Sequence, residues 1–198
     1  MTDYMSDLQK HSERELAEML QRGNASVMGE LYARYARHLT SVCSRYIIDY
    51  EDVKDTLQES FIKIFTKGSS FNYKEEGSLK AWLRQIVVNE SLTFLKKKGR
   101  EGLVVFDDKL MTDVSEEPEE DMSILPKIPI DVLYQMIRAL PPGNRIVFNL
   151  YAIEGRTHKE IAELLGIQET TSSSQLSRAK KMLAKKIKDY VTKKQEPR

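Results

Sequence analysis

The stretch from Thr157 to Leu183, THKEIAELLGIQETTSSSQLSRAKKML, decides how the second half of this chain folds. Thr157 and Glu160 have the spacing of a capping box, which predicts that a helix begins there. Gly166 can take the positive φ that a tight turn requires, and the apolar Ile167 follows it. A second helix is predicted after the turn, because apolar residues recur at helical spacing to give it an inner face of Leu176, Ala179 and Leu183.

Two short helices joined by such a turn form a helix-turn-helix, whose second helix enters a DNA groove by its N-terminal residues. The start of this second helix has no basic residue before Arg178, although its hydroxyl and amide groups can bond base edges or phosphates. Residues 157–198 nevertheless carry ten bases and five acids, a net charge of +5. A helical hairpin that binds only protein is the alternative. The outward-facing DNA-contacting set is predicted to be Thr170, Thr171, Ser173, Ser174, Gln175, Arg178 and Lys181.

Composition favours an all-α binding protein over an enzyme. Helical periodicity dominates, and neither a metal-ligand spacing nor a glycine-rich phosphate loop is present. We therefore expect no catalytic residue, metal, cofactor or small-molecule substrate. Cys43 is the one cysteine and is expected to be a buried free thiol. No apolar run approaches the ~20 residues that span a bilayer, and the acidic N-terminus lacks a signal peptide, so a cytoplasmic protein is expected.

The charge pattern predicts two small helical domains joined by an acidic flexible linker. Residues 1–100 contain four predicted helices, the first opened by a capping box at Ser12 and Glu15. Residues 101–129 form the linker, because positions 101–125 carry nine acids and one base and three prolines interrupt the segment. Residues 130–198 form the second domain, which contains the helix-turn-helix.

A second candidate for nucleic-acid binding lies just before the linker. The predicted fourth helix, with Ser78 as its expected N-cap, carries Trp82, two amide side chains and a basic end. The loop before it places Phe71, Asn72 and Tyr73 in a row, and aromatic and amide groups suit unstacked single-stranded bases. Trp82 also shares the apolar period of the helix, so burial in the core is the alternative.

Taken together, these segments resemble the extracytoplasmic-function (ECF) sigma factors of bacterial RNA polymerase. The resemblance covers nearly the whole chain, because three motifs occur in the family's order around a variable linker. They are YEDVKDTLQESFIKIF (50–65), SLKAWLRQIVVNESLTFLKKK (78–98) and LPPGNRIVFNLYAIEGRTHKEIAELLGIQETTSSSQLSRAKKML (140–183). The resemblance implies a region 2-like domain, a region 4-like domain and a role in transcription initiation.

The resemblance also implies roles for individual residues. Docking on the polymerase's largest subunit falls to Asp52, Asp55, Gln58, Glu59 and Phe61. Binding of the −10 promoter element falls to Phe71, Asn72, Tyr73, Trp82, Gln85, Asn89, Lys96, Lys97 and Arg100. The outward-facing residues of the helix-turn-helix would bind the −35 element. Two positions depart from the pattern: Ala81 stands where housekeeping sigma factors have a first tryptophan, and Ser173-Ser174-Gln175 replaces a common Lys-Ser-Arg run.

The partners implied are core RNA polymerase, promoter DNA and an anti-sigma factor, which in this family can be membrane-bound. The main rival interpretation is a stand-alone helix-turn-helix regulator with an N-terminal sensing or interaction domain, because the C-terminal domain alone also resembles that of LuxR-type activators. Such a regulator would footprint DNA without polymerase. A second rival, an adaptor that binds only protein, would make no DNA contact at all.

Overall fold

The computed structural model describes residues 11–100 and 128–195, and within these ranges the chain is helical without a strand. The predicted all-α class is therefore confirmed. The chain separates into two compact units, residues 1–95 and 96–198, with the boundary inside the fourth helix. Most of the predicted acidic linker lies outside the described residues. The helices are α1 (Glu13–Gln21), α2 (Val27–Cys43), α3 (Tyr50–Lys67), α4 (Ser78–Arg100), α5 (Ile130–Arg138), α6 (Pro142–Phe148), α7 (His158–Leu165) and α8 (Glu169–Gln195).

One helix start in each unit follows the predicted capping chemistry. The Ser12 N–H donates to the Glu15 carboxylate at 2.7 Å, and the Glu15 N–H donates back to the Ser12 hydroxyl at 3.3 Å. Thr157 and Glu160 form the same reciprocal pair at the start of α7. In each case the backbone hydrogen bond at the cap lowers the pKa of the glutamate, because it stabilises the carboxylate. These boxes fix where α1 and α7 begin.

Apolar residues that recur at helical spacing form the core of the first unit. On α3, Val53 and Leu57 are buried, and on α4 Leu79, Leu83 and Val87 are buried. Five apolar residues at helical spacing on α2 are all buried, namely Val27, Leu31, Tyr35, Leu39 and Val42. Burying such side chains stabilises a fold by about 1.5–3 kcal/mol each before the cost of ordering the chain. The outer faces of α3 and α4 are left to carry polar groups.

The second unit packs α5, α6 and α7 around the first half of α8. Gly166 ends α7 with φ 73° and ψ 38°, which confirms the left-handed turn predicted from its sequence. Arg145 is buried, and its Nη1 donates to the carbonyls of Arg138 and Leu140 at 3.2 Å, so that it caps the end of α5. Burial lowers the pKa of this guanidinium. Between α6 and α7 the chain makes a π-helical turn, Asn149–Ile153.

Three further features concern thiol chemistry, metal binding and membrane spanning. Cys43 is buried with a free thiol, as predicted, and burial raises its pKa, which disfavours the reactive thiolate. Within residues 11–100 and 128–195, no three His, Cys, Asp or Glu side chains are grouped so that they could hold a metal ion. None of the helices in these same ranges combines the length and apolar character needed to cross a bilayer.

Candidate functional site

The outward side of α3 carries carboxylates, an amide and an exposed apolar side chain. Asp55, Gln58, Glu59 and Ile62 recur at helical spacing and are all exposed, and we call these four residues the α3 face. Asp52 is half-buried at its edge. Four of the five residues predicted for polymerase docking therefore lie on or beside one surface. Ile62 is 57% exposed, and it was missed although it lies one turn after Gln58 and Glu59.

Phe61, the fifth predicted docking residue, does not lie on the α3 face. Its side chain is only 8% exposed, and its ring lies 5.1 Å from the ring of Tyr32 on α2. This burial argues against direct docking by Phe61, because its side chain continues the row of Val53 and Leu57 that packs into the core. Tyr32 is 57% exposed and is the aromatic group that reaches solvent here.

The loop of residues 71–77 presents part of the aromatic and amide set predicted for single-stranded bases. Asn72 is exposed and Tyr73 is half-buried. Phe71 is buried, with its ring centroid 5.0 Å from that of Trp82 at an interplanar angle of 38°. The prediction that Phe71 is available to a base is therefore wrong, because burial against the indole shields it. Trp82 itself is half-buried, so it packs on one side and stays accessible on the other.

One narrow side of α4 carries the amides predicted to meet DNA. Trp82, Gln85, Asn89 and Lys96 fall within a single helical stripe, which we call the α4 stripe, and none of them is fully buried. Gln85 Nε2 donates to Asn89 Oδ1 at 3.0 Å, so the two amides are aligned as a pair. Lys97 is exposed next to the stripe. The side chain of Arg100 lies outside the part of the chain that the structure describes.

The start of α4 is capped from a distant part of the chain. Ser78 is the first helical residue rather than the N-cap that was predicted, and its hydroxyl donates to the carbonyl of Glu75 at 2.6 Å. Glu13 of α1 supplies the cap instead. Its Oε1 accepts the N–H of Gly77 at 2.8 Å and that of Leu79 at 3.0 Å. Sequence reasoning missed Glu13, because a carboxylate 64 residues before its partner leaves no local signal.

The outward side of α8 carries most of the predicted −35 residues. Thr170 and Ser173 are exposed, and Ser174 and Lys181 are half-buried. Ser177, which was not predicted, lies among them at helical spacing, and we call these five residues the α8 stripe. Arg178 is half-buried at its edge. The hydroxyl groups at the start of α8, together with the basic side chains that follow them in sequence, can bond the phosphates and base edges of DNA.

Thr171 and Gln175 do not face outward. They are 9% and 4% exposed, and Gln175 lies one helical turn before the fully buried Ala179. The buried face of α8 therefore includes polar residues and begins about one turn before Leu176, the first of the apolar residues from which it was predicted. The carbonyl of Gln175 accepts a hydrogen bond from Asn144 Nδ2 at 3.2 Å. The prediction that both side chains are available to DNA is wrong, and extending the period back from Ala179 would have placed Gln175 correctly.

A polar contact holds α8 against α7. His158 Nδ1 and Ser172 Oγ are hydrogen-bonded at 2.9 Å, and Ser172 is fully buried. The ring of Tyr151 stacks on His158 with centroids 4.8 Å apart and an interplanar angle of 22°. Together with the Gly166 turn, these contacts fix the rotation of α8 about its axis and therefore which side chains it presents.

Both units match one family of proteins. The family description "Sigma-70 region 2" matches residues 31–101, and "Sigma-70, region 4" matches residues 130–183. Together the two regions cover more than half of the chain. The ECF RNA polymerase sigma-E factor of Haemophilus influenzae is 28% identical over 187 residues, which are 89% of this chain and 95% of that protein. The sigma-E factor of Escherichia coli K12 is 25% identical over 187 residues, 91% of this chain and 96% of that protein.

Two solved structures match the chain with low TM-scores. CnrH in complex with the cytosolic domain of CnrY gives a TM-score of 0.48 at 21% identity, covering 89% of this chain and 97% of that one. RpoE in complex with the anti-sigma factor NepR from Bartonella quintana gives 0.46 at 24% identity, covering 77% and 91%. The two family matches and the sigma-E relatives establish the family of this chain. The chain belongs to the sigma-70 family of non-catalytic transcription initiation factors, and within it to the ECF sigma factors.

Proposed function

We propose that this sigma factor binds core RNA polymerase, directs it to specific promoters and helps to open their −10 region. The observation that carries the proposal is that one chain joins a region 2 unit and a region 4 unit, each with a polar stripe facing outward. We place the region 2-like domain at 1–100, the linker at 101–129 and the region 4-like domain at 130–198. Opening requires no covalent step, because a protein that binds melted strand better than duplex shifts the equilibrium toward the melted state.

The α3 face is proposed to dock on the polymerase. Its carboxylates can steer association with a basic helix, and the exposed Ile62 and Tyr32, whose ring contacts Phe61, offer apolar area that charge alone does not supply. Asp52 contributes at the edge. Phe61 supports the surface from beneath through its contact with Tyr32 rather than by touching the polymerase.

The 71–77 loop and the α4 stripe are proposed to bind the −10 element. Asn72 and Tyr73 would hold a base flipped from the non-template strand, because an amide can bond its edge while an aromatic ring stacks on its face. Trp82, supported from below by Phe71, would prop the strands apart. The aligned amides of Gln85 and Asn89 would meet the upstream edge of the element. Phosphate contacts are assigned to Lys96, Lys97 and Arg100.

The α8 stripe is proposed to bind the −35 element as intact duplex. Thr170, Ser173 and Ser174 would bond base edges or phosphates near the helix start, with Arg178 and Lys181 behind them. Thr171 and Gln175 are excluded from this set by their burial. Few of these residues have basic side chains. Region 4 is therefore expected to bind DNA weakly by itself, since phosphate neutralisation supplies much of DNA affinity.

An anti-sigma factor is proposed as the further partner that holds the protein inactive. The first unit leaves large apolar side chains exposed, and such side chains favour contact with another protein. They are Tyr32, Ile48, Tyr50 and Ile62, which are 57%, 52%, 67% and 57% exposed. Because its proposed partner enzyme and template are in the bacterial cytoplasm, we infer the same location for this protein.

Run-off transcription tests the proposed function. Core RNA polymerase is incubated with a genomic promoter library, with and without the purified chain. We expect a small set of specific transcripts only when the chain is present. Transcription indistinguishable from that of core polymerase alone would contradict the proposal. DNase footprinting of the selected promoters by the chain alone is the matched control, and a full footprint without polymerase would favour a stand-alone regulator.

A further inference from the structure

We propose that α1 is a strut that sets the geometry of the 71–77 loop, with Glu13 and Gln21 as positioning residues for capture of the −10 strand. The inference rests on the proposed function of that loop and adds residues that themselves touch no DNA. It follows from how the two ends of α1 hold the two ends of the loop.

The C-terminal end of α1 holds the start of the loop. Gln21 Nε2 donates a hydrogen bond to the carbonyl of Phe71, the residue whose ring supports Trp82. The backbone just before the loop lies so close to α1 that a Cβ at Gly68 would stand 2.6 Å from Leu20 Cγ and 2.9 Å from the Leu20 carbonyl oxygen. Only glycine permits this approach, so the beginning of the loop cannot move away from α1 without losing both contacts.

The N-terminal end of α1 holds the end of the loop. Glu13 Oε1 accepts the N–H groups of Gly77 and Leu79, the last loop residue and the second residue of α4. Its other oxygen accepts the Tyr35 hydroxyl at 3.4 Å, which orients the carboxylate. A negative charge at a helix N-terminus is also favoured by the helix dipole. One side chain therefore fixes both the loop exit and the direction in which α4 begins.

The two anchors leave slack in the loop. Glu13 and Gln21 are eight residues apart on α1, which corresponds to about 12 Å along a helix axis. Residues 71–77 could span up to about 20 Å if extended. A chain with this slack has many conformations unless its ends are fixed, and the entropy of ordering it would reduce affinity for a base. Fixing the ends leaves Asn72 exposed on a restrained loop.

Substitution at Glu13 separates positioning from direct contact, because α1 is an acidic helix that suits no phosphate. We would assemble holoenzyme with the full-length chain and measure its affinity for a single-stranded oligonucleotide, the non-template −10 strand of a promoter selected by the wild-type protein. Glu13→Ala is expected to weaken this binding about fivefold, because strand binding would then have to restore the order of the loop exit, at the roughly 1 kcal/mol that a helix cap contributes. Glu13→Gln keeps an acceptor oxygen and should recover most of the affinity. Glu18→Ala, on the same helix, is the control that should change nothing.

Two further measurements decide the result. Affinity for core polymerase and for duplex −35 DNA should be unchanged in Glu13→Ala. Unchanged binding of the −10 strand, or an equal loss in all three affinities, would overturn the inference, the second because it would indicate general destabilisation. If Glu13→Ala fails to fold, Gln21→Met at the other anchor is judged by the same comparison. A wild-type holoenzyme that does not distinguish the −10 strand from a scrambled strand would instead refute the proposed function of the loop.

Discussion

The two units position their proposed DNA-contacting residues in different ways. In the first unit, three hydrogen bonds hold the 71–77 loop and the start of α4. The residues that they join are separated in the chain by 50, 64 and 66 positions. In the second, α8 is oriented by the turn at Gly166, by the contact of His158 with Ser172, 14 positions apart, and by the hydrogen bond from Asn144 to Gln175, 31 positions apart. The loop proposed to accept a displaced base is therefore held by residues much more distant in sequence than those that orient the helix proposed to read duplex.

This difference indicates that the first unit is the more vulnerable to substitutions far from DNA. The first unit also carries the α3 face, so it would combine the proposed polymerase docking with the proposed strand capture. The second unit is expected to tolerate loss of single outward side chains, because its contacts are spread along the α8 stripe. Changes matched between the two units therefore test the comparison directly.

The largest effect is expected from charge reversal on the α3 face. The double variant Asp55→Lys with Glu59→Lys should weaken binding to core polymerase about 100-fold, because close charge pairs at an interface contribute about 2–5 kcal/mol. Fluorescence titration of labelled protein with core polymerase measures it. Glu163→Lys, an exposed site on α7 in the second unit, is the control and should leave this affinity unchanged. Equal losses in both variants would mean that net charge, not the α3 face, determines docking.

The next effect compares two glycines that are needed for different reasons. Gly68→Ala should destabilise the first unit by about 3 kcal/mol, because the new Cβ overlaps Leu20. Gly166→Ala meets no atom within 4 Å and strains only a backbone at φ 73°, so it should cost the second unit about 1 kcal/mol. Fluorescence of Trp82, the one tryptophan of the chain, reports unfolding of the first unit, and amide hydrogen exchange reports the second. If Gly68→Ala lowered the free energy of unfolding by less than Gly166→Ala does, α1 would have to be able to move away from the loop.

Local chemistry accounts for what the sequence predicted correctly. The capping boxes at Ser12 and Thr157 and the turn at Gly166 each depend on residues within a few positions, and the structure has them where they were expected. The cap of α4 could not be predicted in this way, because the local candidate, Ser78, is a helical residue and the actual cap comes from Glu13.

Side-chain polarity misled the assignment of faces. Gln175 and Thr171 were expected to face DNA because they are polar, yet both side chains are buried in the second unit. In the first unit, the aromatic Phe71 was expected to meet a base, yet its ring packs on Trp82. Helical period is the better guide here than residue type, because the position of Gln175 follows from Ala179 alone. The roles of the exposed residues remain predictions that DNA binding must test.

A third prediction separates the two sides of α8. Ser173→Ala should weaken binding of holoenzyme to −35 duplex about fivefold, the value of one hydrogen bond of about 1 kcal/mol. Gln175→Leu should leave that affinity within about twofold, because a buried side chain cannot reach DNA, and a leucine can replace it at similar volume. Gel-shift titration measures both. The reverse ranking would contradict the inward placement of Gln175.

The smallest expected effect is a pH dependence confined to the first unit. Burial raises the pKa of Tyr35 from 10.0 to about 12, so the folded protein holds this proton to higher pH than the unfolded chain does. Its contribution to stability is fully present below about pH 10 and is lost as the pH rises toward 12. The loss should reach about 1 kcal/mol near pH 11, because one pKa unit corresponds to about 1.4 kcal/mol. Trp82 fluorescence during denaturant unfolding should show this alkaline decline in the wild type and not in Tyr35→Phe.

Permanganate reactivity of unpaired thymines tests the central claim most directly, since strand opening by the first unit requires polymerase to hold both units on one promoter. With holoenzyme on a selected promoter, thymines in the −10 region should become reactive while the −35 region stays paired. Core polymerase alone and the chain alone should leave both regions unreactive. A −10 region that stays unreactive under holoenzyme, or a chain that protects promoter DNA equally without polymerase, would contradict the account.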